Sequence, residues 1–227
     1  MKISEIFYSI QGEGILLGVP SVFVRTSGCN LRCTWCDTPY TSWNPEGEKF
    51  SVSEIVEAVK GFGASHVVVT GGEPMIAPET GELTQRLKAE RLHITIETAG
   101  TTIAPVICDL MSISPKLANS TPTEREGGRW AVQHERLRYQ PEVLRQLTSG
   151  YLYQLKFVIA NPDDLAEVGQ IVADVGASPQ SVVLMPEGVR PDILRERGRW
   201  LAEICKAKGY RFSPRLHVDL WGDKRGV

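Results

Sequence analysis

The chain has 227 residues, 42% of them hydrophobic and 23% charged, an ordinary globular balance that argues against disorder, collagen and coiled coil. With 25 basic and 27 acidic residues the formal net charge is −2, so no broad attraction to nucleic acid is expected. No apolar run reaches the roughly 18 residues of a membrane helix, and Met1-Lys2-Ile3-Ser4-Glu5 lacks the charged-then-apolar form of a signal peptide, so the expectation is a cytoplasmic protein with no membrane partner.

In chain order, residues 21–27, Ser-Val-Phe-Val-Arg-Thr-Ser, predict a strand. Ser51 and Glu54 form a capping box for a helix over 51–60 with Val52, Ile55, Val56 and Val59 on one face. Gly61 can end it. The β-branched run His66–Thr70 predicts a strand stopping at Gly71-Gly72, and a helix over about 81–91 precedes a strand at His93–Glu97. Residues 109–114 and 153–159 read as further strands. Asp163 is placed to cap a helix carrying Leu165, Val168, Ile171, Val172 and Val175. A strand at Ser181–Met185, a helix over about 191–207 ending near Gly209, and a last strand at Leu216–Leu220 complete the reading.

Strands alternating with helices imply parallel βαβ units. A full eight-unit barrel takes about 250 residues, so the expected fold is α/β: a partial parallel β/α barrel of about six units. It is read as one domain over residues 1–227. Residues 117–150, polar and Arg-rich, read as an insertion holding a helix near 131–147 with a solvated charged face.

Five cysteines cannot pair completely, and three of them, Cys29, Cys33 and Cys36, crowd together as C-x3-C-x2-C at the end of the first predicted strand. In a reducing compartment such a cluster suggests a metal. Three thiolates on one loop can hold three corners of an iron–sulfur cube, leaving one iron for an outside ligand. A zinc site with a distant fourth ligand is the other reading of this spacing.

The run resembles the signature of the radical S-adenosylmethionine (SAM) superfamily, whose three cysteines bind a 4Fe–4S cluster with SAM on the open iron. Gly71-Gly72-Glu73-Pro74, one βα unit later, resembles that superfamily's motif for the SAM amino group. The resemblance implies SAM contacts at Trp35, Cys36, Asp37 and Gly72. It extends them to Ser114, Pro115 and Lys116 after the fourth strand, and to Gln154, Leu155, Lys156 and Phe157 on the fifth.

Ile6-Phe7-Tyr8-Ser9-Ile10-Gln11-Gly12-Glu13-Gly14, then Gly18-Val19-Pro20, Val22-Phe23-Val24-Arg25 and Cys36-Asp37-Thr38, closely resemble the 7-carboxy-7-deazaguanine synthases of deazapurine biosynthesis. The likeness continues through Glu97-Thr98-Ala99-Gly100-Thr101 and covers the chain well to about residue 116. It implies conversion of 6-carboxy-5,6,7,8-tetrahydropterin to 7-carboxy-7-deazaguanine and ammonia. A 5′-deoxyadenosyl radical, made by one-electron reduction of SAM, takes hydrogen from C6 of the pterin. Substrate contacts are then implied at Ile10, Gln11, Gly12, Arg25, Thr70, Glu97 and His217, with Arg25 on the carboxylate. Thr38 is implied as a Mg2+ ligand beside substrate oxygens and waters.

The resemblance further implies a reductant protein such as a flavodoxin or ferredoxin, and a homodimer. Two other functions are weighed beside it. A glycyl-radical activating enzyme would share Cys29, Cys33, Cys36 and Gly72 but would not need Gln11, Arg25 or Thr38. A zinc-binding interaction protein would carry one zinc in place of about four irons.

Overall fold

The computed structural model describes all 227 residues. Strand β1 (Lys2–Ile10) folds back antiparallel on β2 (Pro20–Thr26). The cysteine loop and the single turn α1 (Pro39–Ser42) follow, then the two-residue β3 (Glu48–Lys49) and helix α2 (Val52–Gly61). Strand β4 (His66–Gly71), helix α3 (Thr80–Ala89), β5 (His93–Thr98) and β6 (Leu110–Ile113) continue the alternation. The crossover to the next strand carries α4 (Ala131–Arg138) and α5 (Pro141–Gly150). After it come β7 (Tyr153–Ile159), α6 (Asp164–Val175), β8 (Val182–Pro186), α7 (Pro191–Lys208), β9 (Arg211–Phe212) and α8 (Leu216–Trp221).

The strands form one nine-stranded sheet in the order β3-β1-β2-β4-β5-β6-β7-β8-β9. From β2 through β8 every pairing is parallel, which is the expected six-unit partial barrel. Strand pleat sorts its residues into two environments. One face sends Val24, Val69, Ile96, Ile113, Leu155, Phe157 and Leu184 into the apolar core beneath α2, α3, α5, α6 and α7, all with no more than trace exposure. The opposite face carries Arg25, Thr70, Glu97, Ser112 and Lys156 into the hollow of the barrel.

Most expected elements fall within a residue or two of their places. The Ser51–Glu54 capping box forms as read, and Gly209 ends α7 in the left-handed region. Helix α2 ends at Gly61 as read, and the left-handed turn beyond it falls at Gly63, at φ +68°. Three expectations are corrected. The helix near 131–147 is two helices, because Pro141 disfavours helical geometry at Gln140, which sits at φ −127°. Asp163 stands at the N-cap of α6 with no side-chain cap, while Asp164 accepts the amides of Ala160 and Asn161 at 2.7 and 3.1 Å. Leu216–Leu220 is helical: the amides of Val218 and Asp219 both return to the Arg215 carbonyl, at 3.0 and 3.1 Å, and only Val218 of the alternating apolar set is buried. Three strands, β1, β3 and β9, were not expected. They lie toward the sheet's two edges, where burial is partial and the alternation is weak.

Candidate active site

A cavity of about 710 Å³ opens inside the barrel at the carboxyl ends of the parallel strands. One row of polar side chains crosses its floor, fixed by strand register. Arg25 lies beside Thr70, and Glu97 beside Ser112. The Thr70 hydroxyl donates to one Glu97 oxygen at 2.7 Å, and the Gln11 amide nitrogen donates to the other at 3.2 Å. The Arg25 guanidinium donates Nε to Glu5 at 2.7 Å and stacks near the Phe7 ring.

Cys29, Cys33 and Cys36 all line the same cavity. All five cysteines are free thiols. Leu31, Cys33 and Ala99 make a small apolar cluster against which Cys29, Trp35 and Cys36 pack. Burial, with help from the nearby Glu73, pushes the Cys29 thiol up to about 12, and burial raises Cys33 as well. The Leu31 amide reaches the Cys29 sulfur at 3.4 Å, and the Ser42 hydroxyl lies 3.2 Å from the Cys36 sulfur. Hydrogen bonds to sulfur inside an apolar shell are the surroundings that tune cluster thiolates, so this donor set fits an iron–sulfur cluster. No group of three His, Cys, Asp or Glu side chains forms a single-ion site.

The supposedly solvated segment also supports this loop. His134, on α4, is 1% exposed. Burial lowers its pKa to about 4, leaving a neutral ring. Nδ1 therefore accepts the Arg32 amide at 3.1 Å, and Nε2–H faces the Ser120 hydroxyl at 2.9 Å. Arg125 lies over the Trp43 ring at 3.9 Å and donates to the Thr34 carbonyl.

Gly71-Gly72-Glu73 stitches the cysteine loop to β4. The Gly72 and Glu73 amides donate to Thr26 and Gly28 carbonyls at 3.1 and 2.9 Å. A Cβ on Gly72 would stand 2.0 Å from the Gly28 oxygen and 2.9 Å from the Thr41 oxygen, both backbone. Glu73, 1% exposed, accepts Thr98 Oγ1, the Ala99 amide and the Met75 amide at 2.8, 2.8 and 3.1 Å. Burial raises its pKa against those bonds.

A charged network also lines the cavity. Glu13 accepts from Lys156 and, at 3.1 Å, from Arg215. Burial alone would raise the Glu13 carboxyl; Lys156 and Arg215 overcome it and hold it below the ordinary carboxylate range. Arg215 also binds the Asp37 carboxylate. His217 lies 3.5 Å from Arg215, and burial lowers its imidazole pKa against the pull of the nearby Glu13. Lys116 donates to the Ser114 carbonyl and hydroxyl at 2.9 and 2.7 Å and has no acidic partner.

The cavity thus brings together Ile10, Gln11, Gly12, Arg25, Thr70, Glu97 and His217 with Trp35, Asp37, Thr38, Gly72, Ser114, Lys116, Lys156 and the three cysteines. Four expected residues are not on its wall. Leu155 and Phe157 point into the apolar core by strand alternation, and Pro115 does not line the cavity. Gln154 is buried, spending its side chain on the Ile15 amide and the Ser112 hydroxyl at 2.9 and 2.8 Å. Sequence reasoning missed Arg215 and Tyr40 as members of the site and Glu5 as the partner of Arg25. Arg215 follows Ser213-Pro214 with no motif around it. Glu13 was on view in Gln-Gly-Glu-Gly, and its charge facing Lys156 was not.

Residues 23–118 match the model of the radical SAM superfamily. A barrel with a three-thiol loop of this kind defines the class as a radical SAM enzyme, and the superfamily implies a 4Fe–4S cluster and SAM. The chain is 44% identical to the 7-carboxy-7-deazaguanine synthase of Halobacterium salinarum, over 98% of this chain and 91% of that protein. It is 42% identical to the one from Rhodopirellula baltica, over 100% and 89%. The chain belongs to the 7-carboxy-7-deazaguanine synthase family. The crystal structure of QueE from Escherichia coli, at 24% identity, shares the fold with a TM-score of 0.71 over 95% of this chain and 94% of that one. No helix is long and apolar enough to cross a membrane.

Proposed function

We propose that the protein converts 6-carboxy-5,6,7,8-tetrahydropterin to 7-carboxy-7-deazaguanine with loss of ammonia, as a radical SAM lyase of 7-deazapurine biosynthesis. The observation that carries the reading is that the three thiols line one cavity with the Arg25–Thr70–Glu97–Gln11 row. When bound, the cluster and SAM supply the radical that abstracts hydrogen.

The residues of the chain then divide by chemistry. Cys29, Cys33 and Cys36 hold the cluster. Trp35 packs on SAM, Gly72 offers it backbone, and Lys116, without an acid partner, takes its carboxylate; Ser114 holds Lys116 in place. Glu97 accepts from the amino edge of the heterocycle, while Gln11, Gly12 and Thr70 complete that edge. His217 faces the same ligand. Arg25 keeps guanidinium donors beyond the Nε spent on Glu5 and gives them to the substrate carboxylate. Thr38 stands at the N-cap of α1 with a hydroxyl that makes no cap bond and accepts from the Thr41 hydroxyl at 3.5 Å; it would hold Mg2+, which would supply charge for the substrate carboxylate.

Residues 1–227 act as one domain, with 117–150 an insertion that walls the cysteine loop. A one-electron donor such as a flavodoxin or ferredoxin, a homodimer and a cytoplasmic location belong to this reading on family grounds.

Arg25→Ala tests the substrate assignment. A charged hydrogen bond is worth about 1.5–3 kcal/mol, so carboxypterin affinity should fall about 10- to 150-fold, with SAM affinity unchanged by calorimetry. Equal loss of both ligands would mark a folding defect, and no loss would remove Arg25 from the substrate. Thr38→Ala should raise the Mg2+ concentration for half-maximal product formation and leave iron content at the wild-type level. Superimposable Mg2+ titrations would exclude Thr38 from the metal.

A further inference from the structure

A short segment late in the chain grips the Gln-Gly-Glu-Gly loop almost residue by residue. The Gly14 amide donates to Ser213 Oγ at 2.8 Å. Arg215 Nε donates to the Glu13 carboxylate at 3.1 Å. The Leu216 amide donates to the Gly12 carbonyl at 2.9 Å. The His217 ring lies against Gly12 so closely that a Cβ there would stand 2.0 Å from Nδ1.

Arg215 reaches further than its neighbours. Its Nη1 donates to the Gly188 carbonyl at 2.7 Å, and its Nη2 binds the Asp37 carboxylate. One guanidinium, 7% exposed, therefore ties together the loop after β1, the cysteine loop and the connection after β8. The Lys156 ammonium faces Glu13 as well, so two carboxylates and two cations balance here, with Glu13, Lys156 and Arg215 shielded and Asp37 at the exposed edge.

We infer that Arg215 is a positioning residue that fixes the spacing between the substrate loop and the SAM-bearing cysteine loop. It acts through Glu13 and Asp37, whose neighbours Gly12 and Cys36 carry substrate and cofactor on the functional reading above, and the inference rests on that reading. Hydrogen abstraction needs donor and radical in near-attack contact, and a displacement of about 1 Å costs about 100-fold. The planar fork can span two carboxylates at fixed geometry, which a lysine's single ammonium cannot. Loosened loops would still admit SAM and cleave it, with the radical spent away from C6 of the pterin.

The test compares wild type with Arg215→Gln and Arg215→Lys after anaerobic cluster reconstitution, each normalised to its iron content. Two quantities are measured: 5′-deoxyadenosine released per 7-carboxy-7-deazaguanine formed, and carboxypterin affinity of the SAM-loaded holoenzyme by calorimetry. Both variants should release at least about ten times more 5′-deoxyadenosine per product and bind the carboxypterin about 10- to 150-fold more weakly. A purely structural ion pair would lower the amount of active enzyme without moving the ratio, and lysine would restore it. Wild-type ratio and affinity in both variants therefore overturn the inference. Should Arg215→Gln fail to hold iron, Glu13→Gln cuts the same link from the substrate side and should raise the same ratio. A wild-type enzyme that binds SAM but neither binds nor turns over the carboxypterin overturns the functional reading, and the inference with it.

Discussion

Cys33→Ala abolishes cluster binding and turnover together, as do Cys29→Ala and Cys36→Ala, because a cube with one open iron needs all three thiolates. The loss should be complete, since nothing nearby can substitute. The loop is rigidly held: Trp43 Nε1 donates to the Cys33 carbonyl at 3.0 Å, and the Thr34 amide donates to Ser120 at 2.8 Å. Anaerobic iron and sulfide analysis reads the result. Cys108 and Cys205 lie away from the cavity, with Cys205 in the apolar core, so Cys108→Ala and Cys205→Ala should keep wild-type iron. Loss of iron in Cys205→Ala would refute the three-ligand assignment.

Gly72→Ala should be nearly as damaging, by a different route. The added methyl meets two backbone oxygens, of Gly28 and Thr41, and neither can turn aside as a side chain could. Either β4 separates from the cysteine loop or Gly28 moves and takes Cys29 with it. Overpacking of this kind costs about 3 kcal/mol or more. Denaturant unfolding of the cluster-free protein measures it, and reconstituted iron should fall in parallel. Gly61 is the control: it ends α2 with nothing within 4 Å of its Cβ position, so Gly61→Ala should stay within about 1 kcal/mol of wild type. Equal behaviour of the two variants would mean that Gly72 is not held by close packing.

How much of this was legible depends on the range of the interaction. Capping at Ser51, the β-branched strands and the cysteine spacing are local, and they stand in the structure where the sequence puts them. Strand alternation was legible too, and applied to residues 153–159 it separates Lys156 from Leu155 and Phe157 without any structure. Residues 216–220 misled because their apolar alternation is that of a strand, while Pro214 and the pull of Arg215 into the cavity turn the backbone into a helix. Arg215 itself was invisible. Its partners Glu13 and Asp37 lie about 200 and 180 residues away, and no spacing rule reaches that far. His134 was hidden for the same reason, its partner Arg32 lying 102 residues upstream. Charged residues around it made a supporting helix look like a solvated one.

The most direct measurement is anaerobic incubation of the reconstituted protein with a reductant, SAM, Mg2+ and 6-carboxy-5,6,7,8-tetrahydropterin, followed by mass spectrometry of the products. The account predicts about four irons per chain, formation of 7-carboxy-7-deazaguanine with one ammonia released for each, and no product when SAM or the reductant is left out. Protein that carries one zinc per chain, or that holds the cluster and cleaves SAM yet leaves the carboxypterin unchanged, would contradict it.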